Sequence, residues 1–261
     1  MSTPAGIDPR AAVDPSARVG EDVFIGPFCV VGPDVEIGNG CRLESNVVVT
    51  GPTVMGEENV LHPMAIVGGP PQDLKYRGGA TRLTIGSRNK IREGVTIHRG
   101  TEDGGDVTVV GDDNLLMAQV HVAHDCRVGS GIIFGNGATL AGHVEVGDGA
   151  TVGAYSGIHQ FCRVAREAFV GGYSVVTQDA LPWVITVGNR AKSHGVNLVG
   201  LKRKGYAPEV VGAIKRTYMT LFRSKLGLEE AIAQVESELG RYDEVKYFVE
   251  FVRSSERGVC R

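Results

Sequence analysis

The chain has 261 residues, enough for one large domain or for a domain with a small appendage. Glycine is abundant, at 37 residues, whereas aromatic residues make up only 6%. This composition favours many tight turns, and the lack of a three-residue glycine period excludes collagen. The formal net charge of −3 gives no reason to expect a nucleic-acid partner.

The N-terminus and the cysteines bear on the compartment. Residues 1–20 contain no basic segment followed by an apolar run, and no stretch is as long and apolar as a membrane-crossing helix. We therefore expect neither a signal peptide nor a stable membrane span. Five cysteines without framework spacing are typical of reduced thiols. Together these features predict a cytoplasmic protein.

Aliphatic residues recur at every sixth position through most of the region 1–182. Such hexads are typical of a parallel β-helix, in which three hexads complete one triangular coil. The hexad residue and the small fourth residue after it should point inward, and equivalent residues of successive coils should stack about 4.8 Å apart. The hexad residues are Val13, Val19, Ile25, Val31, Ile37, Leu43, Val49, Met55, Leu61, Val67, Ile85, Ile91, Ile97, Val110, Leu116, Val122, Val128, Phe134, Leu140, Val146, Val152, Ile158, Val164, Val170 and Val176.

The pattern divides the chain into three parts. We predict a β-helix at residues 1–182 with insertion loops near 68–82 and 99–106, a loop-like connector at 183–206 and a helical domain at 207–261. Apolar residues recur at three and four in "EVVGAIKRTYMTLFRS", "LEEAIAQVESEL" and "DEVKYFVEFVRSS", and glycines at 227 and 240 fit helix ends.

Charge follows the same division. The region 183–261 carries 14 Lys and Arg against 9 Asp and Glu, whereas the region 1–182 carries 13 against 21. The basic part fits an acidic partner, and on charge alone it fits a solvated helical surface equally well.

The stretch HVAHDC, residues 121–126, places two histidines, an aspartate and a cysteine within six residues. It allows three interpretations: a metal site, a catalytic base with its helper, or surface histidines on a repetitive scaffold. Cys126 is the fourth residue after Val122, so we expect it in the core and not on a metal.

Neighbouring coils bring further candidates to the same place. The position one coil after His124 is a glycine, which would let a backbone N–H approach a developing oxyanion. A neutral imidazole is a suitable general base at pH 7. The cluster therefore favours a catalytic site, made of His121, His124, Gly142, His143 and His159.

An ordered set of motifs carries a resemblance to a known family: PPQDLKY, TIHRGT, DNLLM, HVAHDC, LAGHV, IHQFC and GVNLVGLKRKG. Over essentially the whole chain they resemble the UDP-N-acetylglucosamine 3-O-acyltransferases of lipid A biosynthesis. The resemblance implies a left-handed β-helix, a homotrimer with active sites between subunits, and a Gram-negative-type bacterial source. It also implies an (R)-3-hydroxyacyl donor on acyl carrier protein and the glucosamine 3-hydroxyl as acceptor.

The resemblance also implies residue roles. His124 would take the proton from the sugar hydroxyl as it attacks the thioester, and the N–H of Gly142 would stabilise the oxyanion, with no acyl-enzyme, metal or cofactor. Asp125 would orient His124, which requires a bend because adjacent residues of a regular strand point to opposite faces. The implied substrate-binding residues are Asp73, Gln72, Lys75, His121, His143, His159, Gln160, Asn197, Arg203, Lys204 and His98.

Two positions concern specificity. Gly172 matches the family position that limits the acyl groove, and an open groove predicts an acyl chain of about fourteen carbons. Arg190 stands where family members can carry histidine, so a nucleotide contact there is expected to differ. The acidic carrier would meet a basic surface at Lys202, Arg203, Lys204, Lys215, Arg216 and Arg223.

Alternative functions remain. The nearest is another hexad acyltransferase, either an N-acyltransferase or one that uses coenzyme A. Another is a zinc carbonic anhydrase on the same scaffold, with three histidines meeting across a subunit boundary. A third is a non-catalytic solenoid. The acceptor could also be a 3-amino analogue, in which case the product would be an amide.

Overall fold

The structure is a computed structural model that describes residues 5–261, so the first four residues of the predicted β-helix lie outside the described residues. The strands of the described part form sheets of 11, 9 and 8 strands, which we call faces A, B and C. Face A contains β1 (Gly6–Ile7), β4 (Phe24–Ile25), β7 (Arg42–Leu43), β10 (Val60–Leu61), β13 (Lys90–Ile91), β16 (Leu115–Leu116), β19 (Ile133–Phe134), β22 (Thr151–Val152), β25 (Phe169–Val170), β27 (Val184–Gly188) and β28 (Ala191–Val196).

Face B contains β2 (Ala12–Val13), β5 (Val30–Val31), β8 (Val48–Val49), β11 (Ile66–Gly69), β14 (Thr96–His98), β17 (His121–Val122), β20 (Thr139–Leu140), β23 (Gly157–Ile158) and β26 (Val175–Val176). Face C contains β3 (Arg18–Val19), β6 (Val35–Ile37), β9 (Thr53–Met55), β12 (Arg82–Ile85), β15 (Val107–Val110), β18 (Arg127–Val128), β21 (Glu145–Val146) and β24 (Arg163–Val164).

The chain visits the three faces in rotation, so that neighbouring strands of one face belong to successive coils. Strand β17 pairs in parallel with β20, and His121 lies opposite Thr139, its equivalent in the next coil. On the other side His121 lies opposite Thr96, across a longer stretch of chain that contains the second insertion. The predicted stacking of equivalent residues is therefore confirmed, and the β-helix is a triangular prism with A–B, B–C and C–A edges.

Aliphatic side chains fill the prism. Every hexad residue from Ile25 to Val176 is at most 3% exposed, and each such side chain contributes about 1.5–3 kcal/mol by leaving water. The fourth residue is inward as predicted, and Cys126 is fully buried. At one edge this position holds Asn89, whose side-chain oxygen accepts the N–H of Asn114 at 2.9 Å, which adds an amide ladder to the core.

The turns have a repeated backbone conformation. The third residue after a hexad residue adopts a positive φ, as in Asp125 (60°), His143 (62°) and Phe161 (62°). This left-handed conformation turns the chain from one face of the prism to the next within a few residues. It supplies the bend that the predicted contact between His124 and Asp125 requires.

The prediction of a loop-like connector at residues 183–206 was wrong. Strand β27 continues face A in parallel with β25 and forms an antiparallel hairpin with β28, and α1 (Leu198–Arg203) follows. The β-branched run of β27 lies outside the hexad register, so the period that identifies the coils does not identify this hairpin.

Three further helices complete the described chain: α2 (Pro208–Arg223), α3 (Leu228–Leu239) and α4 (Asp243–Arg253). They coincide with the three stretches of helical periodicity. They pack around Trp183, which is 1% exposed and donates to the Tyr206 hydroxyl at 3.2 Å. Of the helices in residues 5–261, none combines the length and apolar character needed to cross a bilayer.

Candidate active site

The B–C edge of the prism collects most of the predicted site. Both insertions leave the prism at this edge, one between β11 and β12 and the other between β14 and β15. The following coils turn the same edge at His124–Asp125, Gly142–His143 and Gln160–Phe161. Because equivalent residues of successive coils stack, these pairs form a column with a rise of about 4.8 Å per step.

His124 and Asp125 form a hydrogen-bonded pair, with His124 Nδ1 2.8 Å from Asp125 Oδ2. The carboxylate is fully buried and also accepts the N–H of Thr101 at 2.8 Å and its hydroxyl at 2.6 Å. A neutral His124 bonded in this way keeps its proton on Nδ1 and presents Nε2 as a proton acceptor.

Hydrogen bonding controls the charge of Asp125. Burial acts to raise the pKa of its carboxyl, but the hydrogen bonds from His124 and Thr101 outweigh burial and lower the pKa below its ordinary value. The side chain is therefore ionised at neutral pH, and it can stabilise an imidazolium on His124.

Gly142 lies directly against the His124 ring in the next coil. A Cβ at residue 142 would lie 2.5 Å from His124 Cε1 and 2.7 Å from Nε2, so no other residue fits without moving the imidazole. Among the described residues no backbone acceptor lies in hydrogen-bond range of the Gly142 N–H. The residue thus offers a free backbone donor beside the ring.

His143 stands across the same carboxylate. Its Nε2 is 3.8 Å from Asp125 Oδ2, and its ring stacks on Phe161 with centroids 4.4 Å apart. Burial lowers the pKa of His143, and the nearby carboxylates of Asp125 and Asp73 act in the opposite direction.

His98 and His121 extend the cluster toward the preceding coil. Their rings meet edge to face at 5.1 Å, and His121 Nδ1 lies 2.7 Å from the Thr96 hydroxyl. Burial and the neighbouring His124 lower the pKa of His121. Burial, followed by His121 and His124, lowers the pKa of His98 to about 4. Both rings are therefore neutral at pH 7.

The two insertion loops hold each other. The N–H of Gly79 in the first loop donates to the Glu102 carboxylate of the second at 2.7 Å. Asp73 accepts the backbone N–H of Lys75 at 2.9 Å, while the side chains of Lys75 and Gln72 are exposed. Two of the predicted substrate-binding side chains, Gln72 and Lys75, are therefore open to solvent, and Asp73 is half-buried.

His159 and Gln160 are on the edge but point outward. Both are exposed, and His159 Nδ1 lies 3.3 Å from an Arg257 guanidinium nitrogen. His159 therefore joins the C-terminal segment and makes no ring contact with the other histidines of the described chain.

Asn197 and Arg203 lie elsewhere. They line a cleft of about 480 Å³ whose floor includes Phe169 and Ile185 of face A. Face A is opposite the B–C edge, so one copy of the chain does not bring Asn197 and Arg203 to His124. Gly172 is exposed on the A–B edge, also apart from the histidines.

His124, Asp125 and His143 also form a set that could hold a metal ion, since their ligand atoms lie within 4.8 Å of one another. Two imidazoles and a carboxylate are ligands that zinc accepts. In this chain, however, Asp125 Oδ2 already accepts hydrogen bonds from Thr101 and His124.

Sequence reasoning missed three residues of the site. Thr101 fixes the Asp125 carboxylate, and Gly104 lies so close to it that a Cβ would fall 2.1 Å from its Cγ. Phe161 supports His143. Thr101 and Phe161 stand within the TIHRGT and IHQFC motifs, so their motifs were visible although their contacts were not.

Known proteins match both parts of the chain. The family model described as UDP-N-acetylglucosamine O-acyltransferase, domain 2, matches residues 179–260. The model for the bacterial transferase hexapeptide, of six repeats, matches residues 16–51 and 108–142. The second match agrees with the hexads, and the first covers the whole of the hairpin and all four helices of the described chain.

Solved structures match over nearly the whole length. LpxA from Acinetobacter baumannii is 42% identical, with a TM-score of 0.95 and coverage of 98% of this chain and 99% of that one. LpxA of Bacteroides fragilis, a UDP-N-acetylglucosamine acyltransferase, is 37% identical, with a TM-score of 0.95 and coverage of 97% and 99%. The UDP-N-acetylglucosamine acyltransferase of Arabidopsis is 36% identical, with a TM-score of 0.86 and coverage of 98% and 100%.

These matches confirm the expected fold class, a left-handed parallel β-helix followed by a small helical domain. Identities of 36–42% over nearly complete chains leave no room for a chance likeness of fold. The chain belongs to the UDP-N-acetylglucosamine O-acyltransferase family of hexapeptide-repeat enzymes.

Proposed function

We propose that this enzyme transfers an (R)-3-hydroxyacyl chain from acyl carrier protein to the 3-hydroxyl of UDP-N-acetylglucosamine, the first step of lipid A biosynthesis. One observation carries the proposal: His124 is bonded to buried, ionised Asp125 through Nδ1 and lies against Gly142 on its Nε2 side. The similar structures named as UDP-N-acetylglucosamine acyltransferases support the acceptor.

The reaction follows from this geometry. His124 Nε2 takes the proton from the sugar 3-hydroxyl as the oxygen attacks the thioester carbonyl carbon. The N–H of Gly142 donates to the oxyanion of the tetrahedral intermediate, a type of contact worth roughly 3–4 kcal/mol. The C–S bond then breaks, and the imidazolium, stabilised by Asp125, returns its proton to the leaving thiolate.

Direct transfer is favoured over an acyl-enzyme. The nearest thiol in sequence, Cys126, is fully buried, and burial raises its pKa to about 12. A thiol in that state does not act as a nucleophile at neutral pH. The proposed chemistry needs no metal and no cofactor, since a base, an oxyanion donor and the thioester suffice. A cytoplasmic location is part of the proposal, because all five cysteines are free.

The separation of the binding residues supports an assembly of several copies, and the family resemblance makes a homotrimer our proposal. Asn197 and Arg203 lie on face A, whereas His124 lies on the opposite edge of the prism. If both sets bind one substrate, a second copy of the chain has to supply one of them. Closed rings of identical subunits allow each prism to use its edge and its face at once.

The donor end of the proposal rests on Gly172 and the basic surface. Gly172 is exposed, and a Cβ there would lie 3.2 Å from the Ala154 carbonyl oxygen, so glycine keeps this part of the surface open. An open groove accepts a chain of about fourteen carbons. Lys202 and Arg203 are exposed and form no salt bridge within residues 5–261, which leaves them available to an acidic carrier.

The test is acyl transfer by the wild type and the His124→Ala variant, with carriers bearing chains of different length, with and without a chelator. We expect the chelator to leave transfer by the wild type unchanged. We expect kcat of the His124→Ala variant to be lower by about a hundredfold or more. Transfer that survives His124→Ala would remove the base assignment. No transfer from any carrier, together with zinc bound by the purified protein, would instead favour the carbonic anhydrase alternative.

A further inference from the structure

The B–C edge ends in a strongly basic cleft of about 710 Å³. We call it the four-cation cleft, because Arg190, Lys192, Arg257 and Arg261 line it. The other lining residues carry no acidic side chain. A terminal carboxylate on Arg261 would offset at most one of these charges. The volume is within the range of about 300–1,000 Å³ that is usual for small-molecule sites.

Backbone pairing fixes the position of the cleft. The last coil, the hairpin turn and the C-terminal segment run side by side, through bridges that join Val175 to Asn189 and Asp179 to Val259. The Asp179 N–H donates to the Gly258 carbonyl at 2.8 Å. The basic side chains therefore project from a built framework and not from loose termini.

The four charges have no acidic partner among residues 5–261. None of the four forms a salt bridge there, whereas nearby Arg163 is bonded to Asp179 at 3.0 Å. The Arg257 guanidinium instead donates to the Thr177 carbonyl at 3.2 Å. Unpaired cations held around a cavity attract an anion from solution.

The cleft continues the histidine column. Gln178, on its wall, lies one coil beyond Gln160 and two coils beyond Gly142, which corresponds to about 10 Å along the edge from the oxyanion donor. Arg257 also lines the smaller cleft that contains His143. A molecule that extends from Gly142 along this edge toward the last coil therefore reaches the four cations.

We propose that the four-cation cleft binds a phosphate group of a substrate while its reacting end lies at His124. Guanidinium groups bind phosphate oxygens in pairs, and an ammonium group adds a point charge. This proposal rests on the proposed function, because that function defines which substrates carry the phosphate. Two sources share this chemistry: the phosphodiester of the donor's pantetheine arm and the diphosphate of the acceptor.

The first test compares two double variants by steady-state kinetics. Lys192→Gln/Arg261→Gln removes two cleft charges, and Lys225→Gln/Arg241→Gln removes two charges from exposed positions outside every cleft described above. We expect the cleft variant to raise KM for one substrate by about tenfold or more, with kcat within about twofold, and the control to change neither. A rise for the donor identifies the pantetheine phosphate, and a rise for the acceptor identifies the diphosphate. Unchanged KM for both would overturn the proposal.

The second test needs no catalysis. Inorganic pyrophosphate is titrated calorimetrically into the wild type and both double variants at low ionic strength. We expect the cleft variant to bind at least about tenfold more weakly than the wild type and the control. Equal binding by all three proteins would contradict the site. If the cleft variant binds pyrophosphate more weakly but the wild type transfers no acyl group, the proposed function is refuted and the phosphate site is retained.

Discussion

The Asp125→Asn substitution tests whether the buried carboxylate sets the state of His124. Asp125 Oδ1 accepts the Thr101 N–H, and Oδ2 accepts the Thr101 hydroxyl and His124 Nδ1. An asparagine has to place its NH₂ group at one of these two sites. At the first it opposes the Thr101 N–H, and at the second it donates to His124 Nδ1 and moves the ring proton to Nε2, so the base is lost.

The magnitude follows from these contacts. Loss of a hydrogen bond to the charged imidazolium costs about 1.5–3 kcal/mol, which lowers kcat by roughly 10- to 150-fold. The wrong tautomer adds to this, and the same exchange in a serine protease triad lowers kcat by about 10⁴-fold. We therefore expect a loss of about 10²- to 10⁴-fold, with KM changed by less than about threefold.

The assay is steady-state transfer from acyl carrier protein at pH 7, with thermal unfolding of the same preparations. Asp148→Asn is the matched control, because Asp148 also accepts a backbone N–H, that of Ser130 at 2.8 Å, but lies at the C–A edge away from the histidines. A variant at Asp125 that keeps kcat within about threefold of the wild type would refute the orienting role. Equal losses for both variants would indicate a general effect on the fold.

Three further predictions concern the same column. Gly142→Ala should lower kcat by about 10²-fold, because its Cβ would displace the His124 ring; activity near wild type would contradict the close approach. His98→Gln should reduce the loss of folding free energy as the pH falls from 6.5 to 4. In that range His98 is protonated in the unfolded chain, whereas in the folded protein its pKa of about 4 keeps it neutral, so the wild type loses stability. Thermal unfolding as a function of pH measures this, with the exposed His194→Gln as control. The five buried thiols should not react with a thiol reagent until the protein unfolds; one fast-reacting thiol would place at least one cysteine outside the core.

The sequence was sufficient to predict the coils because their period and their burial have one cause. Every sixth residue, such as Leu140, has to fill the interior, because a smaller or polar residue there would leave a cavity in the prism. The hexad pattern can therefore be recognised from the sequence alone. The hairpin was not predictable in this way, because Val184–Gly188 pairs at the end of face A under no repeat. This pairing depends on which strand of the last coil is left without a partner, and that is known only from the folded structure.

The site divides along the same line. His124 and Gly142 could be brought together from the period of one coil alone. Thr101 could not, because its contact with Asp125 depends on the path of an insertion loop. The place of Asn197 on the opposite side of the prism depends on where α1 packs. Contacts between equivalent residues of successive coils can be predicted from the sequence, whereas contacts made by the insertion loops and the C-terminal helices cannot.

The register of three hexads per coil makes distances along this enzyme come in steps. Gly142 and Gln178 are separated by two whole coils, so the span between them is a multiple of about 4.8 Å and cannot be tuned by a single inserted residue. An insertion of one residue within a strand would turn the hexad side chains out of the prism, whereas a whole added coil would keep them inward, and residues inserted at an edge loop out as they do between Thr96 and His121. The distance between Gly142 and the four-cation cleft can therefore change only by complete coils.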